Sequence, residues 1–119
     1  ELGDLEIAAM LSNLEFVASV PEGVYAFAGG NSITVAWDDS PVASSYNVKR
    51  ATVSGGPYTT VYTTSQTYFV DNDLEDDTEY YYVVSAVNPV GESDISAEVS
   101  AKNITLMAWF NADAIEGKA

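Results

Sequence analysis

The stretch that decides the fold is residues 78–88, with the sequence Thr-Glu-Tyr-Tyr-Tyr-Val-Val-Ser-Ala-Val-Asn. It is rich in aromatic and β-branched residues, and its apolar side chains recur at every second position. A period of two indicates a β-strand rather than a helix, and the turn signal Pro89-Val90-Gly91 ends it. We expect one set of residues to face inward and to alternate with an outward set of Tyr81, Val83 and Ser85. The inward set is Tyr80, Tyr82, Val84 and Ala86.

The residue before this strand also carries information. Leu74 lies six residues before Tyr80, a spacing that fits a tyrosine corner, in which a phenol hydroxyl bonds to the backbone of the preceding loop. We expect the Tyr80 hydroxyl to donate to a buried backbone acceptor there. Tyrosine corners belong to Greek-key sandwiches, which mostly carry and position other structures.

Strands recur along the chain at short, even spacing, which is typical of all-β proteins. The predicted core residues are Trp37, Tyr46, Val48, Leu74, Tyr80, Tyr82 and Val84. Seven strands are predicted, at residues 24–28, 32–38, 45–52, 58–63, 66–70, 79–87 and 95–101. The sequence therefore predicts an all-β, seven-stranded Greek-key sandwich.

Composition excludes several functions. The 119-residue chain has neither Cys nor His, which rules out disulfides, thiolate or histidine metal sites and a Ser-His-Asp triad. Its 18 acidic residues against four basic ones give a net charge of −14. Such a surface repels phosphate backbones and anionic bilayers, so neither a nucleic acid nor a membrane is an expected partner.

Residues 21–102 resemble a fibronectin type III module of the kind found in secreted bacterial carbohydrate-active enzymes and adhesins. The resemblance rests on an ordered series of motifs along the chain. The series is Pro21, Trp37, Tyr46-Asn47-Val48-Lys49-Arg50, Ser54-Gly55-Gly56-Pro57-Tyr58, Leu74, Thr78-Glu79-Tyr80, Ala86-Val87-Asn88 and Gly91-Glu92-Ser93.

The resemblance implies an immunoglobulin-like sandwich of three strands packed on four. It implies no catalysis, because modules of this family space, orient or recognise other domains. It also implies an extracellular or cell-surface bacterial protein whose main partners are neighbouring domains of the same polypeptide.

The two ends of the chain lie outside the predicted module. Residues 1–20 are predicted to be an N-terminal extension or the stub of a preceding domain, with a short helix slightly favoured over a strand. Residues 103–119 are a C-terminal extension or the start of a following domain. In the C-terminal segment, residues 109–114 resemble the opening strand of a laminin-G-like domain. In the N-terminal segment, residues 3–7 resemble the closing strand of such a domain.

The densest charge cluster holds six acids within nine residues, from Asp71 to Glu79. Asp71, Asp73 and Glu75 begin like a calcium-binding loop, but Asp76 stands where the helix-loop-helix template needs Gly, and Tyr82 where it needs Glu. We interpret the run as a polar loop before the tyrosine corner. No cofactor is expected, and calcium is the alternative.

Two further groups of residues are candidate sites. Paired carboxylates from Asp38-Asp39 and the acidic run could in principle serve a glycosidase, but a compact sandwich offers no obvious cleft for them, so we expect no enzyme. Exposed aromatics can stack on sugar rings, but we favour cross-strand packing as their explanation. These aromatics are Tyr58, Tyr62, Tyr68, Phe69 and Tyr81.

Three functions follow as hypotheses. The first is a non-catalytic, monomeric spacer or accessory module of an extracellular bacterial multidomain protein that is related to polysaccharide. The second is a carbohydrate- or protein-binding module that uses exposed aromatics. The third is a fibre subunit whose apolar ends, 1–20 and 103–110, add a strand to the next molecule.

Overall fold

The computed structural model describes residues 16–72 and 74–104, and these form two packed β-sheets. The strands are β1 (Tyr25–Ala28), β2 (Ile33–Ala36), β3 (Ser45–Ala51), β4 (Thr59–Thr64), β5 (Tyr68–Asp71), β6 (Thr78–Asn88), β7 (Gly91–Glu92) and β8 (Val99–Asn103). One sheet, which we call sheet A, has the order β1-β2-β5. The other, sheet B, has the order β4-β3-β6, with β7 and β8 both paired to β6. All pairings are antiparallel.

The predicted all-β sandwich is confirmed, with one difference in the strand count. Sheet B has five strands rather than four, because the edge beside β6 is divided between the two-residue β7 and the five-residue β8. The divided edge follows from the sequence between these two strands, where Ser93 and Ser96 bond to β6 with their side chains instead of continuing a regular ladder. The register slips, and the strand is interrupted.

These two serines complete the hydrogen bonding of the β6 edge. The Ala86 N–H donates to Ser93 Oγ and the Val84 N–H to Ser96 Oγ, both at 2.9 Å. In return, the N–H groups of Ser93 and Ser96 donate to the carbonyls of Ala86 and Val84 at 2.8 and 2.9 Å. Buried backbone groups must be paired, so the hydroxyls replace carbonyl acceptors that a regular strand would supply.

The core lies between the two sheets, as the alternation in β2, β3 and β6 requires. Ile33 and Val35 on β2 and Val48 on β3 are fully buried. Thr34 and Ala36, which alternate with the first two along β2, lie on the outer face of sheet A. Trp37 packs edge-on against Tyr46, with ring centroids 5.4 Å apart. All seven residues predicted for the core lie in the buried cluster, namely Trp37, Tyr46, Val48, Leu74, Tyr80, Tyr82 and Val84.

The predicted alternation of β6 places Tyr81, Val83 and Ser85 on the outer face of sheet B, but this face is not open to solvent throughout. Tyr81 is half-buried, and Val83 and Ser85 are buried there. β6 lies at the centre of that sheet, between β3 on one side and β7 and β8 on the other. Lys49 and Asn47 lie directly opposite Val83 and Ser85, so the longer side chains of β3 cover this face.

Part of the predicted N-terminal extension lies against the sandwich. Residues 16–20 have no regular secondary structure, but Ala18 is 2% exposed and belongs to the core cluster. The Ser19 carbonyl accepts a hydrogen bond from Ser40 Oγ at 2.7 Å. The helix or strand predicted for residues 1–20 otherwise falls outside the described residues, as do both segments that resemble a laminin-G-like domain.

Candidate functional site

The chain enters the sandwich at one end of β6 and leaves it at the other. At the first end, Asn88 Nδ2 donates to the Phe16 carbonyl at 3.1 Å. At the second end, β8 runs antiparallel to β6 and brings Asn103 opposite Thr78. β6 spans 11 residues, so its ends are separated by ten residue rises, or about 33 Å.

The exit end is held by the loop before β6. The Tyr80 hydroxyl accepts a hydrogen bond from the Glu75 N–H at 2.9 Å, so the phenol does bond to the loop backbone, but as an acceptor and not as the donor expected from the sequence. Asn103 adds two bonds, since its Nδ2 donates to the Glu75 carbonyl at 2.9 Å and its own carbonyl accepts from the Asp77 N–H at 2.6 Å.

A polar network lies buried beside this corner. Arg50 donates to both carboxylate oxygens of Asp71, at 3.0 and 2.9 Å, and the Tyr82 hydroxyl donates to the same carboxylate at 2.6 Å. Asp71 is 4% exposed and Tyr82 is fully buried. Burial, reinforced by the bond to Asp71, raises the pKa of Tyr82, so its hydroxyl keeps the proton that it donates. Arg50 also lies over the Tyr80 ring, 5.4 Å from its centroid.

The structure separates the three candidate calcium ligands. Asp71 is occupied by Arg50 and Tyr82, whereas Glu75 is exposed, and Asp73 falls outside the described residues. Among the described residues, no group of three or more acidic side chains is placed to hold a metal ion. The rest of the acidic run is exposed, and one member, Asp77, forms an ion pair with Lys102 at 3.2 Å.

A second polar network crosses the outer face of sheet B. Thr63 on β4 donates to Asn47 on β3 at 2.7 Å, and Asn47 donates to Glu92 on β7 at 3.1 Å. Glu92 also accepts from Ser85 on β6 and pairs with Lys49 at 3.0 Å. The bonds from Ser85 and Asn47 and the Lys49 ammonium lower the pKa of Glu92 to about 2. One carboxylate thus ties together three strands of the sheet.

The aromatic residues weighed as sugar contacts have different surroundings. Tyr58 donates a hydrogen bond to Glu98, which also accepts bonds from Ser54 and Gly55. The Tyr58 hydroxyl therefore helps to hold this turn. Tyr62 stacks on Phe69 with ring centroids 4.6 Å apart and an interplanar angle of 18°. Tyr68 is 53% exposed on the outer face of sheet A. Tyr81 is half-buried on sheet B.

Two exposed aromatics were missed by the sequence reasoning. Tyr25 and Phe27 on β1 are about half exposed, and their rings are nearly parallel with centroids 6.0 Å apart. Strand register places them on the outer face of sheet A, with Tyr68 and Val70 on the far side of β2. The alternation of apolar residues in Val24–Ala28 was a usable signal, because Tyr25 and Phe27 share one parity.

The candidate catalytic acids occupy a shallow surface depression. Asp38 and Asp39 line a cavity of about 250 Å³ together with Glu22. Asp39 accepts a hydrogen bond from the Tyr46 hydroxyl at 3.1 Å, and that hydroxyl accepts one from the Ser40 N–H at 2.8 Å. These contacts give Asp39 a structural part in the loop between β2 and β3.

The two sheets, the tyrosine corner and the chain ends at opposite poles define an immunoglobulin-like β-sandwich module. The chain belongs to the fibronectin type III family: the Fibronectin type III domain profile matches residues 19–102. Between residues 16 and 104, leaving out residue 73, the structure has no helix that could cross a lipid bilayer.

Similar proteins include several that are named amylopullulanase. The chain is 32% identical over 92 residues to an amylopullulanase of Thermoanaerobacterium saccharolyticum, covering 76% of this chain and 7% of the relative. It is 29% identical over 114 residues to an amylopullulanase of Thermoanaerobacter thermohydrosulfuricus, covering 92% of this chain and 8% of that relative. The chain thus spans less than a tenth of the curated relatives that it matches.

Among solved structures, an Fn3-like protein from Clostridium thermocellum is similar to this chain. The two are 41% identical, with a TM-score of 0.65, and the match covers 74% of this chain and 92% of the other. This similarity extends over nearly the whole of a separately determined module. It supports the assignment of the sandwich as a unit of the family.

Proposed function

We propose that this protein is a non-catalytic spacer module that holds its neighbours in the same polypeptide at a fixed distance. The observation that carries the proposal is where the chain enters and leaves the sandwich, since Phe16 bonds to one end of β6 and Asn103 pairs with the other, about 33 Å away. A segment that enters and leaves at opposite poles of a packed body separates what is attached to it.

The contacts at the two poles support a stiff spacer rather than a flexible one. At the exit, three backbone-directed hydrogen bonds join Tyr80, Asn103 and the loop at Glu75 to Asp77. At the entry, Ala18 is buried and Ser40 bonds to Ser19. Linkers of Gly and Ser behave as random coils, whereas a sandwich with paired ends keeps one separation.

The relatives support a polysaccharide-related setting. Proteins named amylopullulanase contain segments similar to this chain, and this chain covers less than a tenth of each. We infer that the module accompanies a polysaccharide-acting enzyme of a bacterium and works outside the cell. The net charge of −14 fits a surface that stays in solution and avoids nucleic acids and anionic lipids.

The test of a non-catalytic, monomeric module uses the full 119-residue chain. It is incubated with starch, pullulan, cellulose and xylan, and reducing ends are measured against a heat-denatured control. We expect no hydrolysis and a single monomeric species in sedimentation. Release of sugar by the folded chain, lost on Asp38→Asn or Asp39→Asn, would overturn the proposal, and self-association through the chain ends would instead favour the fibre subunit.

We further propose that the function needs no calcium, since Asp71 is taken up by Arg50 and Tyr82. Millimolar calcium is expected to leave the melting temperature nearly unchanged. A ligand specific for the folded state would add about 2.7 kcal/mol at a hundredfold excess over its Kd. A stabilisation of that size, removed by Asp73→Asn with Glu75→Gln, would show a calcium site.

A second candidate function is recognition of a polysaccharide or protein by exposed aromatics. It is favoured by one observation, the number of large apolar side chains about half exposed on or beside sheet A. These are Tyr25, Phe27, Tyr62, Tyr68 and Val70. Aromatic rings present flat apolar surfaces that stack on the C–H face of a sugar ring.

A further inference from the structure

One part of the chain carries no charge at all. Between Arg50 and Asp71, residues 51–70 form a run of 20 without a single Asp, Glu, Lys or Arg, in a protein whose net charge is −14. This run contains β4 and the first three residues of β5, and these two strands are the edge strands of sheets B and A. The side chains that β4 and residues 68–70 present at these edges are therefore uncharged.

These uncharged edges flank a groove. Between β4 and β5 lies a surface cavity of about 340 Å³ lined by Tyr62, Thr64, Gln66, Tyr68, Phe69 and Val70. One face of the Tyr62 ring lies on Phe69, which is packed against the core and holds the ring in place. Tyr62 remains 49% exposed, so its other face is open to solvent, and Tyr68 is 53% exposed.

We propose that this groove between β4 and β5 binds a neutral polysaccharide chain. A pyranose ring has an apolar C–H face, which stacks on a fixed aromatic ring such as Tyr62, and a rim of hydroxyls. Tyr68, Thr64 and Gln66 supply uncharged groups that both donate and accept hydrogen bonds to such a rim. A charged glycan finds no countercharge in the groove and is repelled by the acidic remainder of the surface. This inference rests on the second candidate function above.

The strand edges themselves favour a sugar over an added β-strand. β4 is irregular, because its register with β3 shifts between Val48 and Lys49 and leaves Val61 without a partner. β5 has only four residues. A bulged edge and a short edge are the forms that prevent pairing with another chain, so an extended peptide is a poor fit.

The experiment titrates the full chain with maltohexaose and cellohexaose in a calorimeter, with polygalacturonate as the charged control. We expect one of the two neutral oligosaccharides to bind. Which of them binds shows whether the groove prefers an α-linked or a β-linked glucan. Tyr62→Ala removes the stacking contact and Tyr68→Ala removes a hydrogen bond to the sugar. Each variant is expected to weaken binding about tenfold. Phe16→Ala, an exposed aromatic outside both the groove and sheet A, is the control and leaves the affinity unchanged. Tyr25→Ala tests whether binding uses the rest of the outer face of sheet A instead.

The outcomes separate this inference from the functions it rests on. Binding that is lost in Tyr25→Ala and kept in Tyr68→Ala overturns the groove but supports recognition by sheet A. No binding of any saccharide at millimolar concentration overturns the groove and, within the second candidate, recognition of polysaccharide, while the spacer stands. Equal binding of polygalacturonate contradicts the neutral ligand, and self-association lost in Tyr62→Ala shows strand pairing instead. Since Tyr62 supports Phe69, melting curves check that its variant folds, and Tyr68→Ala tests the groove independently.

Discussion

Tyr80 fixes the loop before β6 through a single hydroxyl group. The hydroxyl accepts the Glu75 N–H at 2.9 Å, while the ring is 5% exposed and lies beneath Arg50. Tyr81, the next residue, is half-buried on the opposite face of the strand. Two adjacent tyrosines therefore differ in what their hydroxyls do, although the sequence presents them side by side.

This difference predicts the effect of removing each hydroxyl. Tyr80→Phe is expected to lower the free energy of unfolding by about 1 kcal/mol, because the Glu75 N–H loses its acceptor and the packing of the ring is kept. Tyr81→Phe is the matched control and is expected to change little. Equilibrium unfolding in urea measures both. If the two variants have the same free energy of unfolding, or if Tyr81→Phe is the less stable one, Tyr80 does not hold the corner.

At the scale of elements, the edge of β6 depends on serine hydroxyls. Ser96 is 6% exposed, and its Oγ is the acceptor for the buried Val84 N–H. Ser96→Ala leaves that N–H without a partner and is expected to cost about 1–3 kcal/mol of stability. Ser100→Ala, at an exposed position of β8, is the control.

Amide hydrogen exchange tests this prediction at the Val84 amide, which donates to Ser96 Oγ. The Val84 amide is expected to exchange faster in Ser96→Ala than in the unaltered chain, while amides on the β3 side of β6 keep their protection. Unchanged exchange at Val84 would mean that the Ser96 hydroxyl does not close the edge.

Glu92 makes the cohesion of sheet B dependent on pH. Its pKa is lowered to about 2, from an ordinary value of 4.5, by Ser85, Asn47 and Lys49. A folded pKa below the unfolded one favours the charged form in the folded chain, so the stabilisation is complete above about pH 4.5 and lost as the pH falls toward 2. Because Glu92 is partly exposed, we expect a modest effect.

The measurement compares melting temperatures of the unaltered chain and Glu92→Gln from pH 7 to pH 2. We expect the variant to melt lower at pH 7 and the difference to shrink between pH 4.5 and pH 2. Glu79→Gln removes the same charge from an exposed position and serves as the control. A difference that stays constant over this range would show that the Glu92 carboxylate does not stabilise the sheet by its charge.

The elements also show which features were predictable from the sequence. Alternation placed Tyr82 and Val84 inward, because a period of two is a local property, and the Leu74–Tyr80 spacing located the corner. Long-range contacts left no such signal: Asp71 meets Arg50 from 21 residues away, and Glu92 meets Asn47 from 45. The calcium hypothesis treated Asp71 as a loop acid for this reason. The burial of Val83 on the outer face was not predicted either, because the side chains that cover it belong to β3.

At the scale of the whole molecule, the sandwich keeps the entry of the chain at Phe16 apart from its exit at Asn103. The family assignment gives the sandwich, and the hydrogen bonds of Asn88 and Asn103 place the entry and the exit at opposite poles. The candidate groove between β4 and β5 lies along one side of the sandwich, and its lining residues are not those that hold the entry and the exit. One body can therefore space its neighbours and present a binding surface without the two functions competing for residues.

The distance between the ends is the quantity that tests this account most directly. The chain has no Cys, so spin labels can be attached at Phe16→Cys and Ile104→Cys, both exposed positions, and the distance measured by pulsed electron paramagnetic resonance. We predict one narrow distribution at about 30–45 Å, the length of β6 plus the label arms. A control pair at the entry pole, Phe16→Cys with Val90→Cys, is expected to give a clearly shorter distance. A broad distribution for the first pair, or one as short as the control, would contradict the spacer.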